Sequence, residues 1–464
     1  MLIRKDVLKL TLPMIAEQAF IMVMGVINTI MAGRLGKEAV SAIGMVDSIN
    51  NVFISFFSAI AIGGTVVVAQ YYGQRNYVKA NEAARHTIFA SILLSLLVTV
   101  ILYIFKNNLI RMLFGSAEQQ VMENSRIYLG ITLLTYPLIA LTSIACGVLR
   151  GVGDTKTPMK VTTFMNFLNV ALSYLFIYGI NLQNSHFNIS ISGYGVRGAA
   201  YGIASARTIG ALLFVFVLLN GSKIIKVKLE RHFKLDWSML RSIFGIGLPA
   251  SVESLLFNGG KLITQIFIIS MGTASIAANT ISNSVFSLIN IPGIAISIAA
   301  TTLVAQHMGK GESKEAKGMI LYLTKANFIL MLVISLVALP FSRFLAAAYT
   351  TNADVIPIAV NIIRTSLLAM PLLWTISFII PAGLKGAGDV KYTLAVSIFG
   401  MWAFRITMGY ILGIPLGLGV IGVWLGMYID WLVRGVLFYI RLKRGKWMNN
   451  IVIRDAHAIP DVKG

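Results

Sequence analysis

The chain is a succession of apolar runs, each long enough to cross the hydrocarbon core of a membrane. Twelve such runs fall at residues 10–31, 44–71, 86–105, 127–149, 158–180, 198–219, 243–271, 276–305, 319–341, 358–383, 393–414 and 420–440. About 20 residues in a helix span this core, and backbone groups inside lipid must form their hydrogen bonds internally. The runs therefore predict an all-α integral membrane protein with twelve transmembrane helices.

The composition excludes other classes of protein. Hydrophobic residues make up 57% of the 464 positions and charged residues only 12%, outside the range of soluble domains. The formal charge of +21 does not indicate nucleic-acid binding, because that function needs a basic face on a soluble domain. The single cysteine, Cys146, lies in an apolar run and is predicted to pack as a small hydrophobic residue.

The distribution of basic residues predicts the orientation in the membrane. With the N-terminus inside, 26 of the 39 lysines and arginines fall in cytoplasmic segments and seven in outer loops. Cytoplasmic loops of membrane proteins carry an excess of Lys and Arg. We therefore expect a multi-pass protein of the plasma membrane with both termini in the cytoplasm.

The two halves of the chain carry matching motifs in the same order. Matching segments are 13–17 with 249–253, 68–73 with 304–309, 149–156 with 384–391, and 195–202 with 419–426. Six runs per half is an even number, so the halves are expected to be parallel repeats, an arrangement typical of transporters. The predicted domains are an N-terminal six-helix lobe at 1–221, a cytoplasmic linker at 222–235, a C-terminal six-helix lobe at 236–447 and a polar cytoplasmic tail at 448–464.

A glycine-rich motif follows the fourth run of each half. It reads Arg150-Gly-Val-Gly-Asp154 in the first half and Lys385-Gly-Ala-Gly-Asp389 in the second. A phosphate-binding loop would need a preceding strand, which neither copy has. We interpret the motif as a turn in which glycine ends one helix and aspartate caps the next.

Charged residues inside the apolar runs are candidates for ion coupling. A charge at the bilayer centre costs about 2.5–3.5 kcal/mol even on the more lenient scale, so each needs a partner or a hydrated cavity. The candidates are Glu253, Glu17, Asp430 and Lys261. The alternatives are structural: each glutamate pairs with a cation, and Asp430 pairs with Arg434 one turn later.

Neutral polar residues in the same runs are candidates for a substrate cleft, for which ordinary helix packing is the alternative. They are Asn28, Gln18, Asn169, Asn258, Gln265, Asn279 and Asn283, with Trp374 as an aromatic wall. Asp47, near the outer end of the second run, is interpreted as a helix-start residue. The sequence does not assign a metal site.

The combined motifs resemble the multidrug and toxic compound extrusion (MATE) family over about residues 5–445. The matching features are Leu12-Pro13, the segment from Asn28 to Gly36, and the doubled Ala-Gln-x-x-Gly and Leu-Arg/Lys-Gly-x-Gly-Asp motifs. The resemblance implies a V-shaped pair of six-helix lobes with a central cleft. It also implies export of cationic amphipathic compounds in exchange for Na+ or H+, with no cofactor.

The chain departs from this family at the acids that usually couple transport to ions. Asn28 and Ser173 stand where many members have aspartate, and Trp374 stands where some sodium-coupled members have one. Phe257 or Asn258 lies near the place of a glutamate in the seventh span. The roles of those acids are not transferred to these residues.

Three classes of function remain open from the sequence. The first is an antiporter for cationic or amphipathic drugs or metabolites, working as a monomer in contact with membrane lipid and without nucleic acid. The second is a flippase for lipid-linked precursors, which needs a strongly cationic cavity; Glu17 and Glu253 disfavour an anionic cargo. The third, a membrane-embedded enzyme, lacks a cluster of His, Asp and Glu.

Overall fold

The computed structural model describes residues 5–115, 117–184, 187–222, 225–227, 235–450 and 452–453. Its first-half helices are α1 Lys5–Gly33, α2 Lys37–Gly73, α3 Tyr77–Phe114, α4 Gln119–Leu133, α5 Tyr136–Gly151, α6 Lys156–Tyr178 and α7 Gly195–Asn220. Those that follow are α8 Trp237–Ile269, α9 Thr273–Ile289, α10 Ile291–Gly309, α11 Ser313–Ala338, α12 Ser342–Ala347, α13 Val355–Ala369, α14 Thr375–Gly386, α15 Val390–Phe399, α16 Thr407–Gly413 and α17 Gly419–Arg444. Wider π-helical turns at Met370–Trp374 and Gly400–Ile406 connect α13 to α14 and α15 to α16, and a 3-10 turn follows at Lys446–Asn449.

The helices have the length and composition needed to cross a membrane. Eleven spans in the described residues meet both criteria, and α4 with α5, bent by 49° at their junction, makes a twelfth when the pair is taken as one span. Most of these spans carry large apolar side chains on their outer faces, such as Leu93 and Ile104 of α3, which are more than half exposed. Such surfaces are stable in lipid. The all-α membrane fold predicted from the apolar runs is confirmed.

Helix ends follow the repeat of the sequence. α2 begins at Lys37 and ends at Gly73, and the α9–α10 pair begins at Thr273 and ends at Gly309, so both ends are displaced by 236 residues. α7 and α17 are displaced by 224 residues at both ends. The duplication inferred from motifs therefore extends to the helix boundaries.

A short β-hairpin accounts for the change in displacement. Strand β1 Gly179–Asn184 pairs antiparallel with β2 Phe187–Ser192, with Gly179 opposite Ser192. The hairpin lies between α6 and α7, where the first half has a longer loop than the second. It adds strands that the all-α prediction did not contain.

Packing divides the chain into two compact units. The C-terminal unit comprises Met1–Ile15, Val66–Ala80 and Arg241–Gly464, and the N-terminal unit comprises Ala16–Thr65 and Asn81–Leu240. The start of α1 and the end of α2 belong to the C-terminal unit. Met14 of α1 packs on Ala295 and Ala299. Gln70 Nε2 of α2 donates to the Gly386 carbonyl at 3.3 Å. The lobe bounds 1–221 and 236–447 remain predictions.

The described part of the predicted linker packs on α3. The backbone N–H of Lys226 in the linker donates to Asn81 Oδ1 at 2.7 Å, and that of Asp236, the residue after the linker, donates to His86 Nε2 at 2.9 Å. Partial burial raises the pKa of Asp236, but hydrogen bonds from the backbone N–H groups of Met239 and Ser238 lower it, so the pKa lies below its usual value. The same two hydrogen bonds cap the start of α8. The rest of the linker, and most of the predicted tail, lie outside the described residues.

The glycine-aspartate motifs form helix turns, as interpreted from the sequence. Gly153 and Gly388 have φ values of 79° and 86°, in the left-handed region that favours glycine. Asp154 accepts from the backbone N–H of Thr157 at 3.1 Å, which caps α6. Asp389 instead binds Arg441 of α17 through both carboxylate oxygens, at 2.7 and 3.0 Å. Both copies are therefore structural.

Candidate functional site

Two ion pairs occupy equivalent positions in the two halves. Glu17 accepts from Arg150 Nη2 at 2.7 and 2.8 Å. Glu253 accepts from Lys385 Nζ at 2.9 Å and from the Ser397 hydroxyl at 2.8 Å. In each half, the ion pair thus links the helix that carries the glutamate to the basic residue at the start of the glycine-aspartate motif. The structure shows the paired state that the sequence left as the structural alternative.

A buried polar network lies among α2, α4, α5 and α7 in the N-terminal unit. Asp47 Oδ1 accepts from Asn50 Nδ2 at 3.3 Å and from the Tyr128 hydroxyl at 3.4 Å. Asn50 Oδ1 in turn accepts from the Tyr136 hydroxyl at 3.0 Å. Asn50, Tyr128 and Tyr136 are buried. We call Asp47, Asn50, Tyr128, Tyr136 and Arg207 the N-terminal polar network.

Arg207 belongs to this network through the break between α4 and α5. Its Nη1 donates at 2.8 Å to the hydroxyl of Thr135, at the junction where the two helices bend. The Thr135 hydroxyl also donates to the Thr132 carbonyl at 2.6 Å. Pro137, the second residue of α5, has no backbone N–H with which to continue the helix across the junction. Here the break brings a cation to the polar residues around Asp47.

Asp47 differs from Glu17, Glu253 and Asp430 because its hydrogen-bond donors are neutral groups. Its described hydrogen-bond partners are an amide and a phenol, whereas Glu17, Glu253 and Asp430 are paired with cations at 2.7–2.9 Å. α2 begins at Lys37, so Asp47 lies well inside the helix. Its interpretation as a helix-start residue was wrong, because the helix extends beyond the apolar run.

The polar cleft candidates of the first half do not form one cluster. Asn169 accepts from the Ser173 hydroxyl at 3.1 Å within α6, and both residues are buried. Asn28 has a buried Oδ1 that lacks a hydrogen-bond partner among the described residues. Gln18 is half-buried on α1.

A cationic cluster surrounds the ring of Phe257 in the C-terminal unit. Lys261 Nζ lies 5.2 Å from the centroid of the Phe257 ring, and the guanidinium carbons of Arg405 and Arg434 each lie 5.3 Å from it. Asp430 accepts from Arg434 Nε at 2.7 Å and Nη2 at 3.2 Å. We call Phe257, Lys261, Arg405, Asp430 and Arg434 the cationic cluster. It confirms the pairing of Asp430 with Arg434.

Local backbone features allow this cluster to form. Arg405 belongs to the π-helical turn Gly400–Ile406, and such turns recur at functional sites. Gly400 lies directly against Asp430 and Arg434, where a Cβ atom would overlap with both side chains. The wide turn and the missing side chain therefore let α15 and α16 approach the ion pair on α17.

Three cleft candidates of the second half meet in one hydrogen-bonded group. Asn279 Nδ2 donates to Gln265 Oε1 at 3.1 Å, and its Oδ1 accepts from Asn283 at 3.1 Å and from Trp424 Nε1 at 3.0 Å. Asn258 instead donates to the Ser254 carbonyl of its own helix at 2.9 Å. Gln265, Asn279 and Asn283 are therefore held by one another and by Trp424.

Trp374 lies beside the cationic cluster. It is buried and stacks on Phe378, with ring centroids 4.7 Å apart, and Phe378 lies 5.2 Å from the guanidinium carbon of Arg434. Lys261 Nζ lies 5.2 Å from the centroid of the Phe257 ring, which it shares with Arg405 and Arg434, while Glu253 is paired with Lys385. Lys261 and Glu253 are carried by the same helix, but eight residues of α-helix separate them by about 12 Å along its axis. The two coupling candidates therefore have different partners.

The fold and these charged interiors define a class of protein: a multi-spanning membrane transporter built from two homologous sets of six helices. The profile of the MatE family matches residues 13–175 and 249–411. The two matches begin at Pro13 and Pro249, the first residues of the repeated motif. The chain belongs to the MatE family, and it is a transporter rather than an enzyme.

Individual relatives cover nearly the whole chain. The chain is 28% identical to the uncharacterized transporter YisQ of Bacillus subtilis over 95% of this chain and 94% of that protein. It is 25% identical to the probable multidrug resistance protein NorM of Thermotoga maritima, over 97% and 94% of the two chains. A crystal structure of MATE in complex with MaL6 matches its fold with a TM-score of 0.86 at 22% identity, over 95% and 97%.

Proposed function

We propose that this chain is a secondary active exporter that moves cationic or amphipathic drugs or metabolites in exchange for Na+ or H+ by alternating access. Membership of the MatE family supports transport, and the name of the Thermotoga relative supports drug efflux. The proposal for ion coupling rests on the hydrogen-bond partners of Asp47, which are the Asn50 amide and the Tyr128 hydroxyl. Asp47 is the interior acid that neutral donors hold inside the N-terminal polar network.

Such an acid can exchange a cation without breaking an ion pair. Asn50 and Tyr128 can stay in place when Asp47 binds a proton or Na+, because neither carries a charge that would be left unpaired. Arg207, bound at Thr135, adds a positive field that opposes the binding of a cation at Asp47. The affinity for the ion can therefore change with small movements of α7, as a coupled exchange requires.

Glu253 and Glu17 remain alternative coupling candidates from the sequence. Loading either with a proton would strand the cation bound to it, Lys385 or Arg150. Removing one partner of a buried pair costs about 3–5 kcal/mol. Asp47 does not incur that cost, and we therefore place it first.

We expect Asp47→Asn to abolish gradient-driven efflux while leaving expression near normal. The amide keeps the shape and can still bond to Asn50 and Tyr128, but it cannot take up a proton or hold Na+. Export of ethidium into the lumen of everted vesicles, driven separately by a proton gradient and a sodium gradient, measures the loss and identifies the ion. Glu38→Gln is the matched control, since Glu38 is an acid near the start of the same helix, paired with exposed Lys37 at 3.7 Å.

The same assay separates Asp47 from the sequence candidates. Asp47→Asn protein that pumps at the wild-type rate, together with loss of pumping in Glu253→Gln, would move the coupling site to Glu253. Glu17→Gln should have a milder effect. Absence of efflux under both gradients in the wild-type protein would contradict the export proposal itself.

We further propose that the protein works as a monomer in the plasma membrane, in contact with lipid and with both termini in the cytoplasm. The excess of lysine and arginine in alternate loops supports this orientation. In a Cys146→Ala background, a cysteine at exposed Lys314 should react with an impermeant thiol reagent from the cytoplasmic side only. A cysteine at Asn184 in β1 should react from outside only. Labelling of both from one side would overturn the topology.

A further inference from the structure

We infer that the cationic cluster of the C-terminal unit binds an oxyanion of the phosphate type. This goes beyond the proposed function, since it concerns the other compact unit and does not depend on Asp47. The ligand chemistry is that of a phosphate group carried by an amphipathic molecule. Its source is either a soluble compound or the headgroup of a membrane lipid.

Positive charge exceeds negative charge in the cationic cluster. Lys261, Arg405 and Arg434 surround Phe257, and Asp430 is the carboxylate that lies with them. Arg434 engages both oxygens of Asp430, while Arg405 Nε lies 3.9 Å from the nearer one. Because each interior charge needs a partner or a hydrated cavity, the cluster is short of negative charge.

The Phe257 ring does not remove this shortage. Contacts between a cation and an aromatic face contribute about 0.5–2 kcal/mol, and three cations share one ring here. Since each lies within 5.3 Å of the same centroid, the three like charges also repel one another at short range. An anion placed among them would relieve that repulsion.

Two cationic side chains of the cluster carry donors without an acceptor among the described residues. Arg405 is 6% exposed, and its Nη1 is buried with no hydrogen-bond partner among the described residues. Lys261 is exposed on α8 and donates no hydrogen bond to the described part of the chain. A guanidinium and an ammonium are the two groups that most often bind phosphate in proteins. One oxyanion could bind both donors.

Aromatic rings form an apolar wall next to these donors. Phe257 lies among the cations, and Phe378, which stacks on Trp374, lies 5.2 Å from the guanidinium carbon of Arg434. Such a wall suits an alkyl or aromatic group attached to the anion. The objection that Glu17 and Glu253 disfavour an anionic cargo no longer holds, because both are neutralised by their ion pairs.

The test is direct binding to the purified full-length protein in nanodiscs of phosphatidylcholine. Dodecyl phosphate is titrated by calorimetry, with inorganic phosphate and dodecyltrimethylammonium as competitors. We expect the wild-type protein to bind dodecyl phosphate, inorganic phosphate to compete, and the ammonium compound of equal chain length not to compete. Lys261→Gln should raise the Kd about tenfold or more, as expected for the loss of one charged hydrogen bond.

Lys261→Gln is the first variant to test, because Lys261 is exposed and its replacement leaves the Asp430–Arg434 pair intact. Arg405→Gln is the second variant and removes the other donor. Lys325→Gln is the matched control, since Lys325 is an exposed lysine on α11 of the same unit and should leave the Kd unchanged. Unchanged binding in Lys261→Gln, or equal competition by dodecyltrimethylammonium, would overturn the inference.

A second set of nanodiscs distinguishes the two sources. In one outcome, phosphatidylglycerol in the bilayer abolishes the binding of dodecyl phosphate to the wild-type protein and leaves the residual binding to Lys261→Gln unchanged. In that case a lipid headgroup occupies the site. If phosphatidylglycerol has no effect while inorganic phosphate competes, the ligand is a soluble phosphate compound. Both outcomes support the oxyanion site.

Discussion

Replacing Asp430 by asparagine should lower the stability of the protein by about 3–5 kcal/mol, the usual cost of removing one partner of a buried ion pair. Asp430 has no exposed surface and lies 2.7 Å from Arg434 Nε. The amide would leave Arg434 without a countercharge beside Arg405 and Lys261. The apparent melting temperature of the purified protein, followed by size-exclusion chromatography after heating, should fall strongly.

Two controls show whether the effect comes from the stranded charge. The Asp430→Asn, Arg434→Gln double variant removes both charges and should recover part of the loss, because a neutral pair leaves fewer charges uncompensated. Glu312→Gln removes the acid of the exposed His307–Glu312 pair, 2.8 Å apart, and should leave the melting temperature unchanged. An Asp430→Asn protein as stable as the wild type would show that the pair is not needed for the fold.

A valine at Gly309 should reduce the yield of folded protein severely. Gly309 and Gly73 end the repeated Ala-Gln-x-x-Gly motifs, and both lie in the C-terminal unit. A Cβ atom on Gly309 would overlap with the Gln70 carbonyl, and one on Gly73 with the Gln306 carbonyl. Because the obstacle is backbone on both sides, relief requires the helix ends to separate, and overpacking of this kind costs at least about 1–3 kcal/mol.

Gly318→Ala is the matched control for this packing effect. Gly318 is exposed in α11, and a Cβ atom there would have no neighbour within 4 Å. Alanine in a helix interior is favoured over glycine by about 0.5–1 kcal/mol, so this variant should keep or slightly raise the melting temperature. Equal yields of Gly309→Val and Gly318→Ala would contradict the close approach of the two motifs.

The sequence determined the membrane class, the helices and their duplication. The length of an apolar run is set by the thickness of the bilayer, so twelve runs specify the spans without knowledge of their packing. The repeated motifs also gave the positions where helices end, as the matching bounds of α2 and the α9–α10 pair show. The turns at Gly153 and Gly388 followed from the local preference of glycine for positive φ.

The tertiary structure alone decided which polar residues meet. Lys261, Arg405 and Arg434 lie on three separate segments, and the sequence contains no sign that they share the ring of Phe257. The neutral partners of Asp47, which are Asn50 of its own helix and Tyr128 of α4, were likewise decided by packing. Inside lipid, apolar faces do not distinguish the protein interior from the exterior, so helix contacts depend on shape and on individual polar groups. Transfer from water to the membrane is a property of each segment and can be predicted from its residues, whereas the partner of a buried charge depends on packing between segments that are distant in the chain.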